Sequence, residues 1–197
     1  MQAFIGREHE LNRMNRMYAS DQMEFAVIYG RRRVGKTTLI NQFCKDKRTI
    51  FFAAQENNVS HNLHSMSEAI MLQGDGGRSE YGMYFSSFES AFDKIAAMAS
   101  EERLIFVIDE YPYLSKSTRK GVASYLQDFI DNKAKSSKLF LLLMGSNVSF
   151  MENEVNNKKS RENLKKWEQS VKNCVNIEKI PRIIVENKCD LLGDKSL

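Results

Sequence analysis

The chain has 197 residues, 42% of them hydrophobic, and its 25 acidic residues nearly offset 29 basic ones to leave a net charge of +4. That is apolar matter for one good core or two small ones, and a mild charge spread along the chain gives no argument of its own for nucleic acid. Three cysteines far apart (Cys44, Cys174, Cys189) suggest neither a disulfide framework nor a zinc site, and no apolar run approaches a membrane span, so a soluble, cytoplasmic protein without a membrane partner is expected.

Phe4-Ile5-Gly6-Arg7-Glu8-His9-Glu10-Leu11 opens the chain, and Leu11, Met14 and Tyr18 continue at helical spacing. The segment reads either as an amphipathic helix with a charged face or as a cover for a nucleotide base.

Phe25-Ala26-Val27-Ile28-Tyr29 has the β-branched and aromatic make-up of a buried strand. It runs into Gly30-Arg31-Arg32-Arg33-Val34-Gly35-Lys36-Thr37, which fits the phosphate-loop pattern GxxxxGK[ST] at every required position. Thr38 to Cys44 can continue as a helix. Glycines let the backbone turn its N–H groups toward a phosphate chain, and the helix start adds unpaired donors and a positive dipole end. Lys36 is then expected to reach the terminal phosphates and Thr37 to offer its hydroxyl to Mg²⁺, with the loop through Thr38 as the nucleotide cradle. A glycine-punctuated surface turn is the bland alternative.

Thr49 to Ala54 reads as a second strand, and Leu63, Met66 and Ile70 suggest a helix after it. His61 and His64 lie three apart on that helix without a further ligand nearby and read as solvated residues. Ser86-Ser87-Phe88-Glu89 carries a capping-box signature, and Phe88, Ala91, Phe92, Ile95 and Ala99 form one apolar helical face, read as core.

Leu104-Ile105-Phe106-Val107-Ile108-Asp109-Glu110 is an apolar run ending in two acids, the pattern of a buried parallel strand whose carboxyl end opens onto a site. Asp109 can hold Mg²⁺, directly or through water, and Glu110 can orient and deprotonate the water that attacks a γ-phosphate. Tyr111-Pro112-Tyr113-Leu114 is expected to turn, because proline cannot continue a ladder. Val122, Tyr125, Leu126, Phe129 and Ile130 mark another amphipathic helix before a polar run to Lys138. Leu139 to Asn147 is a fourth strand that delivers Ser146 and Asn147 at its carboxyl end, for γ-phosphate contact, for capping, or for both.

From Phe4 to about Val155 the sequence resembles the archaeal-type ATP-binding proteins among the AAA-like/STAND P-loop ATPases, through the F-I-G-R-E-x-E-L opening at Phe4 to Leu11 and the G-R-R-R-V-G-K-T loop at Gly30 to Thr37. The resemblance implies that Arg7 and its neighbours approach the adenine, that Asp109 supports the metal, that Glu110 is the base and that Ser146 or Asn147 is the sensor. It also implies a sheet in which the sensor strand lies between the loop strand and the acidic strand.

From about Lys159 the sequence is instead similar to Ras-like small GTPases, with a Rab-like flavour: Arg161 to Trp167, then Ile180-Pro181-Arg182-Ile183-Ile184-Val185, then Asn187-Lys188-Cys189-Asp190 as N-K-x-D. That resemblance implies a guanine loop made by Asn187, Lys188 and Asp190. Against it, a GTPase needs a glycine N–H after its acidic strand, where this chain has Pro112, which has none. Glu186 also replaces the glycine usual before the loop.

The expected architecture is therefore a three-layer α/β P-loop NTPase fold with a mostly parallel sheet of about five strands, its ATPase-like core at 1–155 and a GTPase-like helix and strand at 156–197 packing onto it. The mixture suggests a chimera with its seam between Glu152 and Lys159; the alternative is a tail that simply completes an ATPase sheet. The expected chemistry is binding of ATP with Mg²⁺ and slow hydrolysis to ADP and phosphate, with a GTP-binding protein or a nucleotide-stabilised scaffold as alternatives. No protein or DNA partner can be read from the residues.

Overall fold

The computed structural model describes residues 6–30, 32–73, 84–117, 122–146 and 182–184. In chain order these form α1 (Glu8–Tyr18), β1 (Glu24–Tyr29), α2 (Lys36–Cys44), β2 (Thr49–Ala53), α3 (Val59–Met71), α4 (Phe88–Glu101), β3 (Leu104–Asp109), α5 (Tyr111–Ser117), α6 (Val122–Asp128), a π-helical turn (Phe129–Lys133), β4 (Leu139–Gly145) and β5 (Arg182–Ile184). The strands make one five-stranded sheet in the order β2-β3-β4-β1-β5, and every pairing is parallel.

Alternation along the strands divides the core in two. Ala26, Ile28, Ile105, Val107, Phe140, Leu142 and Met144 face α1 and α2, where Met14, Leu39, Ile40 and Phe43 meet them. Ile50, Phe52, Phe106, Ile108, Leu141 and Leu143 face the opposite layer, built from α3, α4, α5 and α6 around Phe92 and Phe129. The result is a three-layer α/β domain, as expected. β3 and β4 are apolar on both faces because both are covered, and burying each such side chain contributes about 1.5–3 kcal/mol.

The sensor strand β4 lies between the loop strand β1 and the acidic strand β3, in the order the ATPase resemblance implied. The strand expected in the tail is β5, which pairs with β1 at its outer side: Val27 with Arg182, Ile28 with Ile183, Tyr29 with Ile184. The helix expected at Arg161 to Val175 and the expected seam lie outside the described residues.

Three local expectations are revised. Pro112 does not interrupt the backbone; it occupies the first turn of α5, where its missing N–H is not needed by the helix. The cap of α4 is Ser87 rather than Ser86, with a capping box closed by Ser90, since Ser87 Oγ accepts from the Ser90 N–H at 3.2 Å. The helix beginning at Val122 passes into the polar run as a π-helical turn, closed by the Ala134 N–H donating to the Phe129 carbonyl at 2.8 Å.

At the amino end of the sheet, buried Arg103 donates to the carbonyls of Met17 (2.9 Å), Lys138 (3.2 Å) and Gln22, tying the end of α1 and the approaches to β1 and β4 together. Its guanidinium also lies 5.4 Å from the Tyr18 ring and 5.6 Å from that of Phe140. This clamp fixes the end of the sheet opposite the phosphate loop.

Candidate functional site

The carboxyl ends of β1, β4 and β3 lie side by side, and each delivers one part of the expected site. From β1 comes the loop. Arg33 (φ 66°) and Gly35 (φ 85°) are both left-handed, with Val34 between them, so the chain curls into a concavity before α2 begins. A Cβ on Gly35 would meet nothing within 4 Å, so the demand for glycine there is conformational. α2 starts at Lys36 with no side-chain cap and no acid in its first turn, which leaves its first N–H groups for an anion. Thr37 and Thr38 are exposed on that turn, and Arg31 lies outside the described residues.

Lys36 is only 7% exposed and donates from Nζ to the Gly30 carbonyl at 2.7 Å, so the ammonium is folded back across the loop. Burial pushes its pKa down; the carboxylates of Glu110 and Asp109 oppose that shift, and the Arg32 charge adds to it. Lysine and acids thus share one local field.

From β3 come the acids. Asp109 Oδ1 accepts the Glu110 N–H at 2.9 Å. Burial raises the Asp109 pKa above the usual carboxylate range, and the neighbouring Glu110 charge raises it further, while the Glu110 N–H and Lys36 act the other way. Glu110 itself is left-handed at φ 50°, a conformation unusual for glutamate, which turns the chain directly from strand to helix. Burial pushes the neighbouring Tyr111 phenol up to about 12, so it stays protonated at any physiological pH and is no competing base.

From β4 comes Ser146. Its N–H donates to Glu110 Oε2 at 3.3 Å, and its hydroxyl accepts from Arg32 Nε at 3.5 Å. The strand therefore bridges acid and loop. Just before it, a Cβ on Gly145 would stand 3.3 Å from Cδ of Pro112, so glycine is what lets α5 lie against the end of β4. Asn147 lies outside the described residues, as do Asn187, Lys188 and Asp190.

Arg7 is also drawn in: one guanidinium nitrogen pairs with Glu10 at 3.0 Å and the other donates to the Val34 carbonyl at 3.3 Å. The opening segment is anchored to the back of the loop through that carbonyl. What sequence reasoning missed is Tyr113, whose hydroxyl accepts from Arg32 Nη2 at 3.3 Å; nothing in a Tyr-Pro-Tyr string signals a contact 81 positions away. It also missed fully buried Asn62, which accepts from the Gln55 N–H at 2.9 Å and donates to the Gln55 carbonyl at 3.0 Å, pinning the loop beyond β2.

As a donor set for a cation, the site offers the Thr37 hydroxyl and the Asp109 carboxylate. Among the described residues no cluster of three or more His, Cys, Asp or Glu could hold a metal alone. That composition fits Mg²⁺, which keeps waters and binds through one or two protein oxygens together with substrate phosphates.

A family model described as an ATPase domain predominantly from Archaea matches residues 4–188. The chain belongs to this family of archaeal ATPase domains. The match covers the expected seam and most of the tail. An uncharacterized protein of Methanocaldococcus jannaschii is 31% identical over 157 residues, a match that takes in 80% of this chain but only 33% of that protein. An uncharacterized ATP-binding protein of the same organism is 40% identical over 45 residues, 23% of this chain and 76% of that protein. Among solved structures, a Walker-type ATPase of Pyrococcus abyssi superposes with a TM-score of 0.57 at 15% identity, covering 92% of this chain and 53% of the other. The ORC1 protein of Aeropyrum pernix, solved in complex with DNA, gives 0.59 at 18% identity, over 94% and 46%. At those identities the likeness is one of fold, that of P-loop ATPases. Among the described residues, no helix of the ATPase domain is long and apolar enough to cross a membrane.

The raised pKa of Asp109 has a measurable consequence. A carboxyl group that is harder to ionise folded than unfolded costs stability increasingly as pH rises from its unfolded to its folded pKa, and in full above that, and the cost is relieved on acidification. Asp109→Asn, whose amide oxygen can still accept the Glu110 N–H, is expected to melt higher than the parent at neutral pH without ligand. The gap should close at acid pH. Thermal unfolding of both forms across that range checks it; an Asn variant that melts lower at neutral pH would contradict the account.

Proposed function

We propose that this domain binds ATP with Mg²⁺ and hydrolyses it slowly to ADP and phosphate. The observation that carries the reading is the convergence of Lys36, the Asp109–Glu110 pair and Ser146 at three adjacent strand ends, joined by the Ser146–Glu110 and Ser146–Arg32 hydrogen bonds.

In this reading the curled loop and the open N-terminus of α2 receive the phosphate chain. Lys36 exchanges the Gly30 carbonyl for phosphate oxygens. Thr37 and Asp109 would hold Mg²⁺, which when bound supplies charge neutralisation to the phosphates. Glu110 orients a water and accepts its proton as the water oxygen bonds to the γ-phosphorus. The bond from that phosphorus to the bridging oxygen breaks, and its electron pair leaves with ADP. Arg7, Arg31, Arg32, Arg33, Ser146 and Asn147 complete the nucleotide contacts. Turnover is slow because catalysis rests on positioning and on the charges the loop itself brings.

A guanine reading has one supporting observation. β5 runs parallel to β1, so its carboxyl end lies at the phosphate-loop end of the sheet, and Asn187, Lys188 and Asp190 follow it closely in the sequence. The family match through residue 188 and the place of β5 beside β1 favour a tail that supplies the ATPase sheet with its own fifth strand over a graft from a GTPase.

Titration of the chain with ATP and with GTP, each with Mg²⁺, separates the two. ATP is expected to bind at least about tenfold tighter, a difference of about 1.4 kcal/mol, and Asp190→Ala to leave ATP affinity unchanged. Tighter GTP binding that Asp190→Ala abolishes would establish the guanine reading instead. Nucleotide binding without measurable turnover would leave a nucleotide-stabilised scaffold.

A further inference from the structure

Arg32 is an exposed residue of the loop whose side chain leaves it. Its side chain crosses from the loop to Ser146, the residue after β4 (Nε to Oγ, 3.5 Å), and to Tyr113 on α5 (Nη2 to the hydroxyl, 3.3 Å). Both partners are neutral hydroxyls, and no described carboxylate pairs with this guanidinium. Arg7 differs in that one of its guanidinium nitrogens pairs with the Glu10 carboxylate. A guanidinium held only by uncharged oxygens keeps its capacity for an oxyanion, and its planar fork can take two phosphate oxygens at once.

Its position says which phosphate. Ser146 is the residue whose N–H holds Glu110 Oε2, so Arg32 reaches the same corner as the proposed base. Tyr113 lies three residues beyond Glu110 on the helix that follows it. The guanidinium therefore stands at the acid side of the loop, where the phosphoryl group to be transferred must lie if Glu110 is to deliver water to it. The Arg32 charge is also felt at Lys36, after the larger effects of burial and of the two acids.

We infer that Arg32 is the cation this chain brings, from its own phosphate loop, to the γ-phosphate of bound ATP, with Ser146 and Tyr113 holding it ready. Charge that many nucleotide hydrolases receive from a separate arginine-bearing region or partner is here supplied in cis. This rests on the ATP reading above.

The test compares the parent chain with Arg32→Ala and Arg32→Lys, using Mg²⁺ with ADP, with a non-hydrolysable ATP analogue and with ATP. Arg32→Ala should weaken the analogue about tenfold while leaving ADP within about twofold, because the lost contact is to the γ-phosphate alone. Single-turnover hydrolysis should fall about a hundredfold, the scale for removal of one transition-state donor, and Arg32→Lys should recover part of it. Hydrolysis per molecule by the parent should not rise with protein concentration. Equal weakening of ADP and analogue, or no change in either, overturns the inference while leaving the ATP reading in place. A parent chain that binds no adenine nucleotide overturns both. If the parent binds without turning over, the analogue-to-ADP ratio decides alone.

Discussion

Replacing Lys36 by alanine is expected to weaken ATP binding about ten- to a hundredfold, the range set by losing a charged hydrogen bond of about 1.5–3 kcal/mol. In the ligand-free chain the ammonium is buried against the Gly30 carbonyl, with Asp109 and Glu110 near enough to oppose its loss of charge. The protein has borne the desolvation of this group already, so a phosphate meets a cation that water no longer screens. The same burial makes the variant readable. Removing a desolvated ammonium also removes the cost of hiding it, so the ligand-free melting temperature should move little. What should disappear is the rise in melting temperature that ATP confers on the parent by binding only the folded state. Calorimetric titration with thermal unfolding checks both, and undiminished ATP binding by Lys36→Ala would remove the phosphate loop from the mechanism.

Glu110→Gln is expected to separate binding from chemistry. Hydrolysis should fall about 10²- to 10⁴-fold, the contribution of a positioned general base, while ATP affinity is kept or rises slightly as a negative charge leaves the phosphate site. The geometry favours a clean result, because the carboxylate oxygen that accepts the Ser146 N–H can be replaced by an amide oxygen doing the same. What is lost is the negative charge and, with it, the ability to take a proton. Single-turnover rates beside ATP titration make the comparison, and an equal loss of both would mean that Glu110 shapes the loop rather than the reaction.

Much of this site was legible in the sequence because each piece is local. A phosphate loop is a strand, a turn of fixed length and a helix start, and Glu24 to Cys44 carry all of it in one stretch of sequence. The acids after β3 were legible for a similar reason: an apolar run that ends in charge describes a buried strand emerging at an edge. The strand order was not local, and it came from family resemblance alone. What the residues could not disclose were contacts made by side chains across the mouth of the sheet. Arg32 meeting Tyr113 depends on α5 starting immediately after Glu110, and that depends on Glu110 taking a left-handed turn and on Pro112 sitting where a helix tolerates it. Local rules read the proline as a stop. The shift of the α4 cap by one serine is similar, since Ser86 and Ser87 are equivalent until the helix chooses its register.

β4 has one more implication. It is apolar and covered on both faces and hydrogen-bonded on both sides, while the Arg103 clamp fastens the opposite end of the sheet. Such a strand has nowhere to slide. If the domain is to register whether the third phosphate is present, the displacement has to be taken up by groups held at the strand ends through polar contacts. These are the Arg32 side chain, held by the Ser146 and Tyr113 hydroxyls, with the opening segment coupled through Arg7 and Val34. The sheet would act as the fixed frame of an instrument whose pointer is the Arg32 side chain.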